Sequence, residues 1–361
     1  MRKRVENYLL SVISGKKQSI PARLLRFFLK CLSMIYLVPV SFRSAVFYTG
    51  LRKKKKLTKP VISVGNITLG GTGKTPVCAF LARELMLAGK RAAVLSRGYG
   101  RKTRGMLIVS DGDKILAGVQ EAGDEPSWMA RHLPGLIVIA GKNRFKTGAI
   151  AIEKFGTDIV ILDDGFQRRD ALARNLEIVV VNAGDPFGNR RLFPAGNLRE
   201  PLKCLKYADV FILTHCDEAE TGELKRELAE KNPGVLIVET RHKPCRLILA
   251  KTGQNLGLEF LRDKRIVALS SIGNPCSFEH NLEKLGCRTV ERVRYPDHYA
   301  YSISDMEMIQ TIADEAEAGV VTTEKDMVRL QGNPEWLVLG VEIEILAGAE
   351  EFKKKIWSSI I

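Results

Sequence analysis

The sequence has no C-x-x-C pair, few histidines and no long uncharged apolar run. Its seven cysteines are scattered and odd in number, which fits a reducing compartment and argues against a zinc knuckle and against secretion. The five histidines show no metal-ligand spacing, and nothing resembles H-E-x-x-H. The longest charge-free stretch of the first 57 residues, 31–42, is far shorter than the roughly 20 apolar residues of a spanning helix. A multi-pass membrane protein is therefore excluded.

Acidic residues are almost absent from the N-terminal end. The 361-residue chain has a net charge of +15, and residues 1–57 hold 14 lysines and arginines but one acid, Glu6. Residues 58–361 are nearly neutral, with 42 basic and 40 acidic residues. Apolar residues make up 45% and charged residues 27% of the chain, which is typical of soluble globular proteins. Because the length favours two domains, we expect a globular body with a basic N-terminal arm.

The arm contains apolar residues at helical spacing. Arg23, Arg26 and Lys30 share one face of a predicted helix, and apolar side chains such as Phe27 and Phe28 fill the rest. A signal peptide would need an uninterrupted apolar region, and a nucleic-acid-binding arm would leave the phenylalanines unexplained. An interfacial membrane helix uses both the cations and the apolar side chains. The alternative is a basic helix that only packs on the protein body.

A glycine-rich loop follows the first predicted strand. The β-branched run 61–65 precedes the loop, and an amphipathic stretch, 76–88, and a strand at 92–96 follow it. This order is typical of a nucleotide-binding βαβ unit. Strict P-loop spacing would place glycine where Thr68 stands. The pattern nevertheless predicts that phosphate binds Gly70, Gly71, Thr72, Gly73, Lys74 and Thr75.

Each polar residue at the end of this loop has an expected task. Lys74 would reach the β- and γ-phosphates, and the Thr75 hydroxyl would hold magnesium. A buried apolar run, 159–162, ends in Asp163 and Asp164. An acid at the carboxyl end of a parallel strand lies beside the phosphate loop, where it can hold magnesium directly or through water. Such an aspartate can also simply cap the next turn.

Two further candidates are ambiguous from the residues alone. Asp124 is followed by Glu125-Pro126 and could be the N-cap of a helix that begins there. His298 lies among aromatic residues, where a structural histidine is the commoner case. Either could instead act in catalysis, because carboxylates and imidazoles are the usual proton-transfer groups.

Eight short segments carry a family resemblance. They are SVGNITLGGTGKTP (63–76), SRGYGRK (96–102), AGDEP (122–126), GKNR (141–144), LDDGFQ (162–167), LFPAGNLREPL (192–202), PDHYAYS (296–302) and TTEKD (322–326). Together and in this order they resemble the tetraacyldisaccharide 4′-kinases, the lipid A 4′-kinases of Gram-negative bacteria. The resemblance extends from about residue 20 to about residue 345. LDDGFQ and the REP segment are specific to that family, whose loop shares the unusual spacing at Thr68.

The resemblance implies an activity and a set of partners. The activity is ATP-dependent phosphorylation of the 4′-hydroxyl of an acylated, 1-phosphorylated glucosamine disaccharide, with Mg²⁺ as cofactor and no nucleic acid. The resemblance also implies that the protein is located at the cytoplasmic face of the inner membrane, where its N-terminal helix associates with the lipid. Carried over by motif, Asp124 is the acid–base residue in a dyad with His298. The remaining site residues implied are Lys74 and Thr75 at the phosphates, Thr75, Asp163, Asp164 and Glu200 at the metal, and Arg144, Gln167 and Arg199 elsewhere in the active site.

The expected architecture is a P-loop domain with a doubly wound, mostly parallel α/β sheet and a second, smaller α/β domain. Strands of the first sheet are expected at 61–65, 92–96, 136–140, 158–163, 177–182 and 209–214. Runs at 234–240 and 246–250 indicate a two-stranded linker, and those at 266–270, 320–323 and 337–345 indicate a second sheet. The expected domains are a membrane-associated amphipathic segment (1–57), the kinase domain (58–236), the linker (237–250) and a smaller domain that closes over the site (251–361).

Two other functions fit parts of the sequence. A membrane-surface P-loop ATPase of the cell-division or anion-pump regulator class also uses x-G-G-x-G-K-T, but that class carries lysine where Leu69 stands. A nucleic-acid-binding protein would use the basic arm, but the body beyond residue 57 has almost no net charge. Transfer of labelled phosphate from ATP to a lipid acceptor, as against release of free phosphate, separates the first alternative from a kinase.

Overall fold

A computed structural model describes residues 8, 11–13, 15, 17–48, 54–332 and 334–360. The rest of the predicted basic arm, including residues 52 and 53 of its cationic run, lies outside the described residues. Twelve described strands are β1 (Val61–Gly65), β2 (Ala92–Ser96), β3 (Leu107–Asp111), β4 (Ile137–Ala140), β5 (Ile159–Asp163), β6 (Leu176–Asn182), β7 (Val210–Thr214), β8 (Leu236–Leu249), β9 (Arg265–Ser270), β10 (Arg288–Arg294), β11 (Gly319–Thr323) and β12 (Leu337–Ala347).

The described α-helices begin with a long N-terminal one. They are α1 (Ile20–Tyr48), α2 (Lys74–Leu87), α3 (Val119–Ala122), α4 (Asp124–His132), α5 (Arg144–Phe155), α6 (Gly222–Lys231), α7 (Pro275–Lys284), α8 (Ile303–Glu315), α9 (Glu324–Met327) and α10 (Ala349–Ile360). Short 3-10 helices lie at Phe166–Arg168, Leu202–Tyr207 and Leu258–Leu261.

The strands form one twelve-stranded sheet in the order β10-β9-β11-β12-β8-β7-β6-β1-β5-β2-β4-β3. Neighbours are parallel except for β12 with β8 and β3 with β4. Side chains of β1 alternate between two apolar cores: Ile62 and Val64 pack with α2, α4 and α10, whereas Val61 packs with α5. Helices therefore cover both faces, as expected for a doubly wound α/β sheet.

One continuous sheet replaces the two sheets that the sequence predicts. The strands expected at 234–240 and 246–250 are a single strand, β8, which pairs with β7 through its first residues and with β12 along its length. Pro244 is accommodated because the register of β8 with β12 shifts between Gly340 and Val341, at a bulge. The prediction of two separate linker strands was therefore wrong. Pro244 lies at a bulge, where a proline does not end the strand.

The sequence also misses two strands at the edges of the sheet. β10 is the outer strand at one end, and its sequence Arg288-Thr-Val-Glu-Arg-Val-Arg294 is largely charged. β3 is the outer strand at the other end and pairs with only one neighbour, β4. Because edge strands often carry charge against unwanted pairing, β10 lacks the continuous apolar run that marks a buried strand. β3 does contain a short apolar run, Leu107–Val109, and Val109 is buried, so this strand was missed although the signal was present.

Helix α1 has two different faces. Ala22 and Val40 are buried, and Ser33 and Tyr36 are half-buried against the body. The opposite face is apolar and exposed along its length, through Ile20, Leu24, Phe27, Phe28, Met34, Ile35, Val38 and Phe42; we call these eight residues the outer stripe.

By length and composition, residues 20–42 of α1 could also cross a membrane, and 6% of the most apolar window is buried. The charge-free run 31–42 underestimated the apolar length of this segment, because a few cations interrupt a much longer apolar helix. Core helices of soluble proteins and signal sequences pass the same test.

Candidate active site

The phosphate loop lies between β1 and α2, which begins at Lys74. Gly70 and Gly73 have φ angles of 101° and 83°, which only glycine adopts without strain. The buried Asn66 holds the loop from inside, since its Nδ2 donates to the Thr68 carbonyl at 2.8 Å and to the Thr72 hydroxyl at 3.0 Å. The loop geometry that the sequence predicts is therefore present.

Thr68 shows why the loop needs no glycine at that position. It forms an isolated antiparallel bridge with Leu198, and Leu69 N donates to the Asn197 carbonyl at 2.7 Å. Thr68 has no positive φ, so a β-branched residue fits there. The unusual spacing thus reflects a short extended segment before the glycines.

Thr75 contacts a carboxylate that sequence reasoning missed. Its buried hydroxyl donates to Glu125 Oε1 at 3.1 Å, and Lys325 Nζ donates to the same oxygen at 3.0 Å. Burial raises the pKa of Glu125, but Lys325 and Lys74 outweigh it and hold that pKa below its usual value. Glu125 therefore links the phosphate-loop helix to α9, whose Lys325 lies 200 residues after Glu125 in the chain.

Asp163 ends β5 directly beside Val64 of β1. The Ser96 hydroxyl donates to its Oδ2 at 3.0 Å, and the thiol of Cys78 lies 3.8 Å from its Oδ1. Burial, followed by the negative charges of Glu125 and Asp164, raises the pKa of Asp163 to about 7. The predicted position beside the phosphate loop is observed, in a pocket with surplus negative charge.

Asp164 has a different partner. Its φ is 54°, and both of its carboxylate oxygens accept from Arg199, at 2.7 and 3.0 Å. Burial raises the pKa of Asp164, but the paired guanidinium outweighs it and lowers that pKa. Two adjacent aspartates are thus distinguished by one arginine, a difference that the sequence did not reveal.

Asp124 and His298 are in contact although 174 residues separate them. His298 Nδ1 lies 2.7 Å from Asp124 Oδ2, and Arg329 Nη1 lies 3.6 Å from the same oxygen. Asp124 is the first residue of α4 and is buried. The N-cap of this helix is Gly123, and Asp124 Oδ1 accepts from the backbone N–H of Glu125 at 3.0 Å in the first turn. Asp124 is therefore not the N-cap that the sequence also allowed, although one of its carboxylate oxygens bonds the start of the helix.

The two groups of this pair shift each other's pKa in opposite directions. Burial raises the pKa of Asp124, but the hydrogen bond with His298 and the cations Lys325 and Arg329 outweigh it and lower that pKa to about 2. The hydrogen bond to Asp124 raises the pKa of His298, against the opposing effect of burial. The geometry favours an ionised carboxylate held by a histidine that gains positive charge easily.

Arg144 and Gln167 hold backbone carbonyl groups at this end of the sheet. Arg144 donates to the carbonyls of Ser96 and Asp163 at 2.8 and 3.1 Å, and also to that of Gly141. Burial lowers the pKa of Arg144 to about 10. Gln167 Nε2 donates to the Asn66 carbonyl at 2.6 Å. Arg144 and Gln167 follow the carboxyl ends of β4 and β5.

Glu200 is fully buried and engaged by other groups. Its Oε2 accepts from Arg169 at 3.3 Å and from the Cys204 thiol at 3.4 Å. Thr75, Asp163, Asp164 and Glu200, the predicted metal set, thus have distinct partners. Among the residues that the structure describes, no three histidine, cysteine, aspartate or glutamate side chains converge as a ready-made ion site.

A loop from the far side of the sheet covers the phosphate loop. Gly273 lies so close to Gly71 that a Cβ on Gly273 would overlap the Gly71 nitrogen. The buried His215 and the half-buried His242 lie on another side, with ring centroids 4.2 Å apart. His242 Nε2 would be 2.9 Å from a Cβ on Gly73. Sequence spacing gave no signal for these contacts, because the residues come from distant segments.

Comparison with known proteins identifies the family. Residues 25–361 match the family model described as Tetraacyldisaccharide-1-P 4′-kinase. The chain belongs to this family. Two tetraacyldisaccharide 4′-kinases, from Anaeromyxobacter sp. (strain Fw109-5) and Syntrophus aciditrophicus, are 39% and 43% identical to it. Those alignments cover 87% and 84% of this chain, and 86% and 83% of the two relatives.

A solved structure of the same kinase family supports the fold. It is LpxK from Aquifex aeolicus, described as an "apo" form in complex with ATP, with 35% identity and a TM-score of 0.77. The match covers 93% of this chain and 100% of that one. The family and the α/β fold expected from the sequence motifs are thereby confirmed, and a kinase family is favoured over the cell-division type of ATPase.

Proposed function

We propose that this chain transfers the γ-phosphoryl group of ATP to the 4′-hydroxyl of a tetraacyldisaccharide 1-phosphate. The product is the bis-phosphorylated lipid A precursor. The observation that carries the proposal concerns two consecutive residues: Asp124 contacts His298, while Glu125 contacts Thr75 at the phosphate loop. A carboxylate suited to accept a proton is therefore next to the group expected at the nucleotide phosphates. The names of the relatives and the ATP in the Aquifex aeolicus structure support the same activity.

The phosphate loop would bind and orient ATP. Backbone N–H groups of the segment Gly70–Gly73 can approach phosphate oxygens without obstruction by a Cβ. Lys74 would stabilise charge on the transferred group. Phosphoryl transfer needs positioning and charge stabilisation more than covalent chemistry, so these contacts would supply most of the catalysis.

Asp124 would accept the proton of the attacking sugar hydroxyl. An alcohol must lose its proton as the new P–O bond forms, and a positioned carboxylate can take it. His298 would hold Asp124 in place through its 2.7 Å contact and stabilise its charge. Arg329, on the other side of Asp124 Oδ2, would keep the carboxylate ionised between turnovers.

The residues fit a magnesium ion, which would neutralise charge on the phosphates. Thr75 and Asp163 offer the oxygen ligands that Mg²⁺ prefers, and the raised pKa of Asp163 indicates negative charge that a cation would relieve. Asp164 and Glu200 stay candidates whose arginine partners would have to yield an oxygen. Gln167 would orient the backbone at Asn66, and Arg199 would orient Asp164. Arg144 would hold the carboxyl ends of the strands.

The outer stripe of α1 would lie in the cytoplasmic surface of the inner membrane. Its apolar residues are 58–75% exposed, and Arg23 and Lys30 are exposed beside them. Such a helix can insert its apolar face at the acyl boundary while its cations meet anionic headgroups. The acyl chains of the substrate are insoluble in water, so a kinase at that surface would meet its acceptor there.

The domain division is also proposed. Residues 58–236 would form the nucleotide-binding domain and residues 251–361 the smaller domain, with 237–250 between them. Contacts across this division include Lys325 with Glu125 and His298 with Asp124. The smaller domain, held by these contacts, would complete the dyad and exclude water from the site.

The test is transfer of γ-labelled phosphate from ATP to a purified lipid acceptor, compared with release of free phosphate. Wild type should label the lipid at the 4′-position. Lys74→Ala should lower this transfer by far more than tenfold, a loss above about 1.4 kcal/mol of transition-state stabilisation. Lys90→Ala, an exposed lysine beyond the end of α2, is the matched control and should retain activity. Phosphate release without labelled lipid would refute the proposal.

A further inference from the structure

The inner face of α1 is bonded to an active-site loop. Ser33 Oγ donates to the Leu192 carbonyl at 2.8 Å and accepts from Ala195 N at 3.0 Å. The Tyr36 hydroxyl donates to the Arg199 carbonyl at 3.1 Å, and its ring meets that of Phe193 edge-on, with centroids 6.0 Å apart. The N-terminal helix therefore fixes both ends of the segment 192–199, which we call the coupling loop.

The coupling loop is also bonded to the nucleotide site. Leu69 N donates to the Asn197 carbonyl and Arg199 N donates to the Ile67 carbonyl, both at 2.7 Å. These bonds form a short antiparallel ladder with the residues that lead into the phosphate glycines. The guanidinium of Arg199 holds both oxygens of Asp164. A shift of this loop would therefore move the entry of the phosphate loop and the Arg199–Asp164 pair together.

The opposite face of α1 is the outer stripe, which the body of the protein leaves exposed. A membrane that binds this stripe would fix the position of α1 relative to the body. Ser33 and Tyr36 lie on the other side of the same helical turns, so this constraint would pass directly to the coupling loop. The route needs only one rigid helix, its three hydrogen bonds to the coupling loop and the two bonds of the ladder.

We propose that Ser33 and Tyr36 are positioning residues that couple membrane-bound α1 to the nucleotide site, so that the membrane raises the turnover rate as well as concentrating the substrate. The inference rests on the proposed roles of Arg199 and Asp164. Neither Ser33 nor Tyr36 touches the reacting groups; each acts through the backbone of the coupling loop.

The experiment compares full-length wild type with the double variant Ser33→Ala/Tyr36→Phe, which keeps the ring against Phe193 and removes both hydroxyls. The acceptor is a short-acyl, water-soluble analogue of the lipid, with or without vesicles of phosphatidylethanolamine and phosphatidylglycerol. Wild-type kcat should rise when vesicles are added. The double variant should bind the vesicles equally in a flotation assay but show no rise, and its kcat with vesicles should be about tenfold lower.

Two further variants separate coupling from simple packing. Ser33→Thr combined with native Tyr36 keeps the hydroxyl and should restore the vesicle-dependent rise. Cys31→Ser, an exposed change on the same helix, should behave as wild type. The inference is overturned if the double variant responds to vesicles as wild type does, or if Ser33→Thr fails to restore the response.

Arg199→Ala distinguishes failure of this inference from failure of the proposed site. An inactive Arg199→Ala together with a fully vesicle-responsive double variant would refute the coupling alone. A fully active Arg199→Ala would refute the site role of Arg199, on which the coupling depends, and so overturn both.

Discussion

At the scale of single residues, the decisive contact joins Asp124 and His298. If Asp124 accepts the substrate proton, Asp124→Asn should lower kcat by about 10²- to 10⁴-fold, because an amide cannot take the proton. The pKa of His298, measured by NMR, should fall toward its ordinary value since the carboxylate that raises it is lost. Asp297→Asn is the control, because Asp297 lies 3.7 Å from the other ring nitrogen. Near-normal kcat in Asp124→Asn would disprove the dyad.

The same pair predicts a pH dependence of stability. The pKa of Asp124 is about 2 in the folded chain and about 4 when unfolded, so its contribution is present above pH 4 and lost as pH falls through 2. The raised pKa of His298 has the opposite sign: its contribution is present below pH 6.5 and lost as pH rises through the raised value. Above pH 4, the free energy of unfolding of Asp124→Asn should therefore be about 2 kcal/mol lower than that of wild type. This difference should disappear as the pH falls through 2. Identical acid denaturation of the two proteins would contradict this.

Arg144 should prove structural as well as functional. Arg144→Ala removes a donor from three carbonyls at the ends of β2, β4 and β5. The Ser96 carbonyl keeps its bond from Gly141 N, whereas a buried carbonyl that is left unsatisfied costs about 1–3 kcal/mol. We expect a clear fall in melting temperature, measured by calorimetry, together with lost activity. Lys146→Ala, an exposed change in the same helix, should leave the melting temperature near that of wild type. An unaltered melting temperature in Arg144→Ala would mean that water replaces the guanidinium.

At the scale of secondary-structure elements, α1 determines how the chain meets a membrane. Replacing Phe27, Phe28 and Ile35 of the outer stripe with serine removes apolar side chains but no cations. Vesicle binding should become fully sensitive to salt, because only screened electrostatic attraction remains. KM for the lipid acceptor should rise, and KM for ATP should not. Flotation of vesicles at low and high salt measures the change.

The control for this helix is Leu87→Ser, which alters an equally exposed leucine at the end of α2. It should leave vesicle binding unchanged. Leu32 is left unchanged in the triple variant because it is half-buried. If the triple variant still needs detergent for release from vesicles, α1 is not inserted through its outer stripe.

At the scale of the whole molecule, the two halves of the sheet meet at the phosphate loop. A Cβ on Gly273 would overlap the backbone of Gly71, so Gly273→Ala must push the covering loop away from the nucleotide site. We expect a higher KM for ATP and a lower kcat, with little change in melting temperature. Gly319→Ala is the matched control, since a Cβ there meets nothing within 4 Å. Equal kinetics of both variants would show that the covering loop has no role in the reaction.

The sequence by itself determined the central strands, the phosphate loop and the family. β1 and β2 have the predicted limits, because buried parallel strands are continuous apolar runs bounded by turn residues. Asp163 could be placed beside the loop for the same reason: strand ends at one edge of a parallel sheet are neighbours. The outer strand β10 could not be found, since its charged residues are suited to solvent rather than to a core.

Only the tertiary structure decided which partners the site residues have. Asp163 and Asp164 are adjacent and chemically identical in sequence, yet one has a raised pKa in a crowded acidic pocket and the other is held by Arg199. Glu125 and Lys325 lie in two of the family segments, AGDEP and TTEKD, but their contact could not be predicted because segments 200 residues apart leave no local periodicity. Local patterns report burial and backbone geometry; the charges that meet at a site depend on how distant elements of the sheet are brought together.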